Sequence, residues 1–175
     1  IASKFNQDNT ELVDINHMRE KRQALNFSKM QATGDDYIFI NNFEGKYTFP
    51  EALSIVFSDR HRGIGADGLV LIEKSEVADA KMRIFNTDGS EGKMAGNSIR
   101  CVGKYLYDNG IVPKTNMTIE TSCGVMKVKL YTFNGEVRSA TVDIGKPDFN
   151  PASIPMNIDA ENAIGYEAEI GGEKA

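Results

Sequence analysis

Apolar and polar positions along this chain repeat with two periods, and the switches between them mark the elements. Between Phe27 and Phe43, two short alternating or apolar runs flank Thr33-Gly34-Asp35-Asp36, the pattern of a hairpin turning at those four residues. Thr48, Pro50 and Glu51 read as a capping-box helix start, with Ala52, Leu53, Val56 and Phe57 as the apolar face of a short helix ending near His61. Leu69 to Glu73 and Lys81 to Asn86 read as strands, the first nearly all apolar and therefore buried. From Asn97 to Asn109, Ile99, Val102 and Leu106, with Gly103 among them, recur at helical spacing, and Asn109-Gly110 supplies a left-handed stop. MTIETSCG and VMKVKLYTF are strand-like, and Asn134-Gly135 signals a tight hairpin into the alternation of Ala140, Val142 and Ile144. Before Leu25 the chain is polar, with isolated Phe5, Leu12, Val13, Ile15 and Met18, and reads as an extension with one marginal helix. After Pro147 the pattern thins.

Composition narrows the class. The 175 residues, 41% hydrophobic, suffice for one ordinary core or for one domain plus part of a second. The longest apolar runs fall far short of the roughly 20 residues that span a bilayer, and no apolar leader core opens the chain, so a soluble, cytoplasmic protein is expected. A net charge of −5 with scattered basic residues leaves no footprint for nucleic acid or a membrane surface. Small molecules or proteins are the expected partners. Cys101, Cys123, His17 and His61 form neither a disulfide framework nor a metal-ligand spacing, so no metal site is expected.

Ala95-Gly96-Asn97-Ser98 stands at the mouth of the predicted second helix, where first-turn N–H groups lack intrahelical partners and the macrodipole places partial positive charge. Such a place holds an anion: Gly96 admits a ligand close to the backbone, and Asn97 or Ser98 can cap. A thiol at position 95 would be stabilised as thiolate there, yet the residue is alanine. The bland alternative is an ordinary helix cap after a turn. Elsewhere, Cys101 and Cys123 read as packed structural thiols, and His61 as a fold-supporting residue. GIGADG lacks the spacing of phosphate-binding loops and is expected to pack its glycines against the second helix. Asp88 and Glu91 read as turn residues bonding loop N–H groups.

The longer string FNTDGSEGKMAGNSIRC resembles the signature of the diaminopimelate epimerase family, Asn-x-Asp-Gly-Ser-Glu followed by Cys-Gly-Asn-Gly/Ala-x-Arg-Cys. FSKMQATGDDYIFI and SDRHRGIGADGLVLIE resemble that family's opening strand and its Asp-Arg-x-x-Gly-Ile-Gly-x-Asp loop, in the same order, so the likeness runs from about Leu25 to Pro147. It implies an isomerase without metal or pyridoxal cofactor that inverts one α-carbon of diaminopimelate, one cysteine thiolate taking the α-proton from one face and a second cysteine thiol donating its own proton to the other. The first cysteine aligns with Ala95; substrate contacts carry over to Asp35, Asn86, Gly96 and Asn97. Three departures stand out: Ala95 has no titratable group, Asp35 replaces the family's Asn, and the motif holding the second cysteine is absent. Gly68 stands where some members have Gln.

The fold expected from this likeness is α+β, a mixed sheet wrapped around a central helix. It would form one half of a pseudo-symmetric pair: extension 1–24, first domain 25–116, and an incomplete second domain 117–175. A homodimer follows from the family's tendency. Turnover by the chain as it stands is expected to be lost. The alternatives are a racemase of another amino acid in the same fold, and a non-catalytic binding or regulatory protein that has kept the cleft.

Overall fold

The computed structural model describes residues 25–93, 95–167, 169–171 and 173–174. The extension expected over 1–24 lies outside the described residues. Seven strands lie side by side in one sheet: β1 (Ser28–Ala32), β2 (Asp35–Asn41), β3 (Gly68–Glu73), β4 (Ala80–Asn86), β6 (Asn116–Thr121), β7 (Gly124–Phe133) and β8 (Glu136–Asp143). The short β5 (Glu91–Gly92) pairs with β4. Pairs β2–β3 and β4–β6 are parallel and the rest antiparallel, so the sheet is mixed. Helix α1 (Pro50–Ser58) packs on β3 and β4, whereas α2 (Gly96–Asp108) touches both β1 and β8. Strands at opposite ends of the order can meet one helix only if the sheet curls around it. A small hairpin, β9 (Glu169–Ile170) with β10 (Glu173–Lys174), stands apart from this sheet.

Strand periodicity divides the core in two. Tyr37, Phe39, Val70, Ile72, Met82 and Ile84 face inward and pack with Ile99, Val102 and Leu106 of α2. Ile38, Ile40, Leu69, Leu71 and Phe85 face outward, beneath Leu53 and Phe57 of α1. With both faces covered, β2 and β3 read as unbroken apolar runs. Gly103 brings α2 close to β7: a Cβ there would lie 3.0 Å from Val128 Cγ1 and 3.1 Å from Leu130 Cδ2. The helix stops where expected, with Asn109 as its C-cap and Gly110 at φ 67°. The β7–β8 hairpin turns through Asn134 and Gly135, both at positive φ, as the Asn-Gly signal requires.

Five expectations need correction. The first turn is only Thr33-Gly34, both at positive φ, so Asp35 opens β2 instead of sitting in the turn. Phe49, not Thr48, is the N-cap of α1, with no side-chain cap, because Pro50 sets the first helical residue one place later than the box needs. The buried face of α1 is Pro50, Ser54 and Ser58 with partly buried Leu53 and Phe57, while Val56 is 60% exposed. The glycines of GIGADG do not meet α2: added Cβ atoms would strike the carbonyls of Val56 and Phe57 at Gly63, and Arg60 Cα at Gly65. Finally, the boundary expected at residue 116 falls inside the sheet, since β6 pairs with β4 and carries β7 and β8 around α2.

Candidate functional site

One end of the sheet gathers the singled-out residues. Asp35 begins β2, Gly68 begins β3 opposite Asn86 at the end of β4, and α2 starts beside them. Ala95 is the N-cap of α2, half-buried and extended at φ −137° and ψ 114°, with no side-chain cap; its carbonyl accepts the Ile99 N–H at 3.1 Å. Among the described residues no side chain caps the first-turn amides that follow it. Among the described residues a Cβ on Gly96 would meet nothing within 4 Å, which leaves the approach to this backbone open on their side. Gly96, Asn97 and Arg100 line a depression of about 330 Å³ whose far side is Ala140, Thr141 and Val142 of β8.

Neither Asn97 nor Ser98 caps the helix, contrary to expectation. Asn97 Nδ2 donates to Asp35 Oδ2 at 3.2 Å, and its Oδ1 accepts from the Arg100 guanidinium. A carboxylate only accepts and a guanidinium only donates, so this pairing fixes which way the amide points. Ser98 is withdrawn into the core, where its hydroxyl has no hydrogen bond of normal geometry among the described residues. Tyr37 lies nearby; burial first, then the Asp35 and Asp67 charges, push its phenol up.

Asn86 is brought to the same end of the sheet but is turned into its own loop. Its Nδ2 donates to Ser90 Oγ at 2.9 Å, and its N–H to the Ser90 carbonyl at 2.8 Å. Buried Ser54 of α1 donates to the Asn86 carbonyl at 2.7 Å and lies 3.2 Å from that of Phe85, tying the end of β4 down from the outer face. Asp88 Oδ1 accepts from the Ser90 N–H at 2.9 Å and from its hydroxyl at 2.6 Å, as a turn residue should, and those bonds hold its carboxyl below the usual range. Glu91 departs from its expected role: it pairs with Arg83 at 2.7 Å, and that bond lowers its carboxyl.

The two thiols differ. Cys101 is a core residue whose thiol is pushed up by burial. Cys123 is exposed rather than packed, with Sγ 3.7 Å from the Lys93 carbonyl, which also accepts from Ser122. His61 is exposed and joins its loop through its N–H to Asp59 Oδ1. Sequence reasoning passed over Arg100, although it is the arginine of the quoted signature and lies one helical turn beyond Asn97. It also passed over Arg60, Asp36 and Asp67, which form an ion cluster beneath the Asp35 end of β2. Arg60 and Asp67 are the arginine and final aspartate of the quoted loop, 7 positions apart, whereas Asp36 lies 31 positions from Asp67 and carries no local signal of the pairing.

Comparison with known proteins agrees with this architecture. A family model described as diaminopimelate epimerase matches residues 27–150. The diaminopimelate epimerase of Desulfovibrio desulfuricans is 53% identical over 133 residues, 76% of this chain and 46% of that protein. That of Acetivibrio thermocellus is 45% identical over 150 residues, 86% of this chain and 54% of its own length. The chain spans about half the length of the curated relatives it matches. Among solved structures, a hydroxyproline epimerase from Agrobacterium vitis with bound trans-4-hydroxy-L-proline has a TM-score of 0.51 at 19% identity, over 66% of this chain and 40% of that one. A methylitaconate-delta-isomerase has a TM-score of 0.54 at 16% identity, over 79% and 40%. At such identities these two share the fold alone. Because the family match runs through every strand of the large sheet and both helices, with relatives about half identical, this chain belongs to the diaminopimelate epimerase family.

Proposed function

We propose that this chain forms one wall of a diaminopimelate epimerase site, in which the start of α2 receives the substrate's α-carboxylate. The uncapped helix mouth carries this reading: open space at Gly96 beside a fixed Asn97 leaves oriented N–H groups for an anion. The same donors would stabilise negative charge developing on the carboxylate when the α-proton leaves. Asp35, Asn86, Gly96 and Asn97 are the substrate contacts in this reading, and Ala95 stands where the proton acceptor belongs. The other half of the relatives' length would supply the opposite wall and the second thiol. The reaction needs no cofactor, the setting is cytoplasmic, and the assembly is a homodimer.

General acid/base groups contribute roughly 10²–10⁴ in rate. Ala95 removes the only acceptor on its face, so this wall binds substrate without taking its proton. Ala95 and Asp35 also favour a second reading, a non-catalytic binding protein that has kept the cleft. Titrating ¹⁵N-labelled chain with meso-diaminopimelate separates occupancy from turnover. The amide signals of Gly96, Asn97 and Ser98 should move together and saturate. If they stay still at millimolar ligand while the chain is folded, the carboxylate reading is lost.

A further inference from the structure

We infer that Arg60 is a positioning residue for the mouth of α2: by holding Asp36 against Asp67 it sets Asp35 where it orients Asn97. Successive side chains of a strand point to opposite faces. In β2, Asp35 therefore shares the inner face with Tyr37 and Phe39, and Asp36 shares the outer face with Ile38 and Ile40. On that outer face Arg60 spans both oxygens of Asp36, at 2.5 and 3.2 Å, and reaches Asp67 Oδ1 at 2.9 Å. The backbones are stitched as well, the Asp36 N–H to Asp67 Oδ2 at 3.0 Å and the Asp67 N–H to the Asp36 carbonyl at 2.8 Å.

Two carboxylates placed this close repel unless a cation lies between them, and a planar guanidinium can serve both. Lys29, 3.0 Å from Asp36, touches only one of them. Gly65, at φ 78°, lets the loop close over Arg60: a Cβ there would sit 2.9 Å from Arg60 Cα. The fork thus fixes the first residues of β2 from outside while Asp35 meets Asn97 inside. Releasing Arg60 frees the Asp36 backbone, and with it the adjacent Asp35.

The consequence for ligand binding rests on the proposed reading of Asn97 as a substrate contact; the consequence for Asn97 itself does not. The side-chain amide of Asn97, followed by NMR in the ligand-free chain, reports the second directly. Arg60→Ala should speed its proton exchange with water by about tenfold, the effect of losing one hydrogen bond to a charged group. Arg60→Lys should fall between, because an ammonium holds one carboxylate at a time. Lys114→Ala, which removes the Lys114–Asp79 pair at 2.7 Å elsewhere on the sheet, should leave that exchange unchanged. An Arg60→Ala protein that folds with unaltered Asn97 exchange overturns the inference. Should Arg60→Ala fail to fold, Asp36→Asn carries the same test with the same reading. Titration with meso-diaminopimelate completes the experiment. An Asn97 response to Arg60→Ala in a chain that ignores the ligand would sink the proposed function and leave the positioning role standing.

Discussion

Asn97 and Asp35 lie 62 positions apart in the chain, yet Nδ2 of one donates to Oδ2 of the other at 3.2 Å. The bond joins the first turn of α2 to the first residue of β2, and Arg100 completes it from the other side of the amide. A helix mouth that would otherwise depend on its own turn is thereby referenced to the sheet.

Restoring a thiol at the N-cap tests the electrostatics of that mouth. In an Ala95→Cys, Cys123→Ser protein, the new thiol should titrate below the free value of about 8.5, because uncapped N–H groups favour the thiolate. The pH dependence of its iodoacetamide alkylation rate reads this directly, with buried Cys101 silent in the folded state. A midpoint at or above the free value would show that the helix end exerts no such effect.

Ser54 holds the end of β4 from beneath. Its hydroxyl is fully buried and reaches the carbonyls of Asn86 and Phe85. Ser54→Ala should cost about 1–2 kcal/mol in urea unfolding, the usual penalty for leaving buried acceptors short of a donor. The Asn86 and Ser90 amide signals should shift with it, since their loop hangs from that carbonyl.

The glycine at 63 is set by contact. A Cβ there would come within 2.4 Å of the Val56 carbonyl oxygen and 2.6 Å of that of Phe57, both backbone atoms of α1. Gly63→Ala should lower stability by about 1–3 kcal/mol, the range for forcing extra volume into packed structure. Gly110→Ala, with nothing near the added carbon, should cost only the strain of its φ of 67°. Equal denaturation midpoints for Gly63→Ala and the unmodified chain would contradict the contact.

The outer-face ion cluster predicts an acid limb. Bonding to Arg60 holds the Asp36 carboxyl well below its ordinary value of 3.8. A carboxyl lowered in the folded state adds stability at pH values above that ordinary value. The contribution is lost as pH falls from there toward the folded value. Urea midpoints at pH 7, 5 and 3 should drop more steeply between the last two for the unmodified chain than for Asp36→Asn. Parallel curves would exclude Asp36 as the source.

Periodicity and turn chemistry carried much of this fold in the open. The unbroken runs of β2 and β3 foretell strands covered on both sides, Ile99, Val102 and Leu106 foretell the face of α2, and Asn134-Gly135 foretells the β7–β8 turn, because each depends on neighbours within a few residues. The signature around Gly96-Asn97 likewise marks the helix mouth, where Ala95 is the N-cap. The curl of the sheet, the passage of β6 across the expected boundary, and the withdrawal of Ser98 depend on which distant strands pair and what they leave room for. Arg60 and Arg100 stand in the quoted motifs, but the sequence assigned neither a role. Asn97 lies one helical turn before Arg100 and Asp67 seven positions after Arg60, whereas only the folded chain brings Asp36 to Arg60 and Asp35 to Asn97, because a hydrogen bond between residues dozens of positions apart leaves no trace in local spacing.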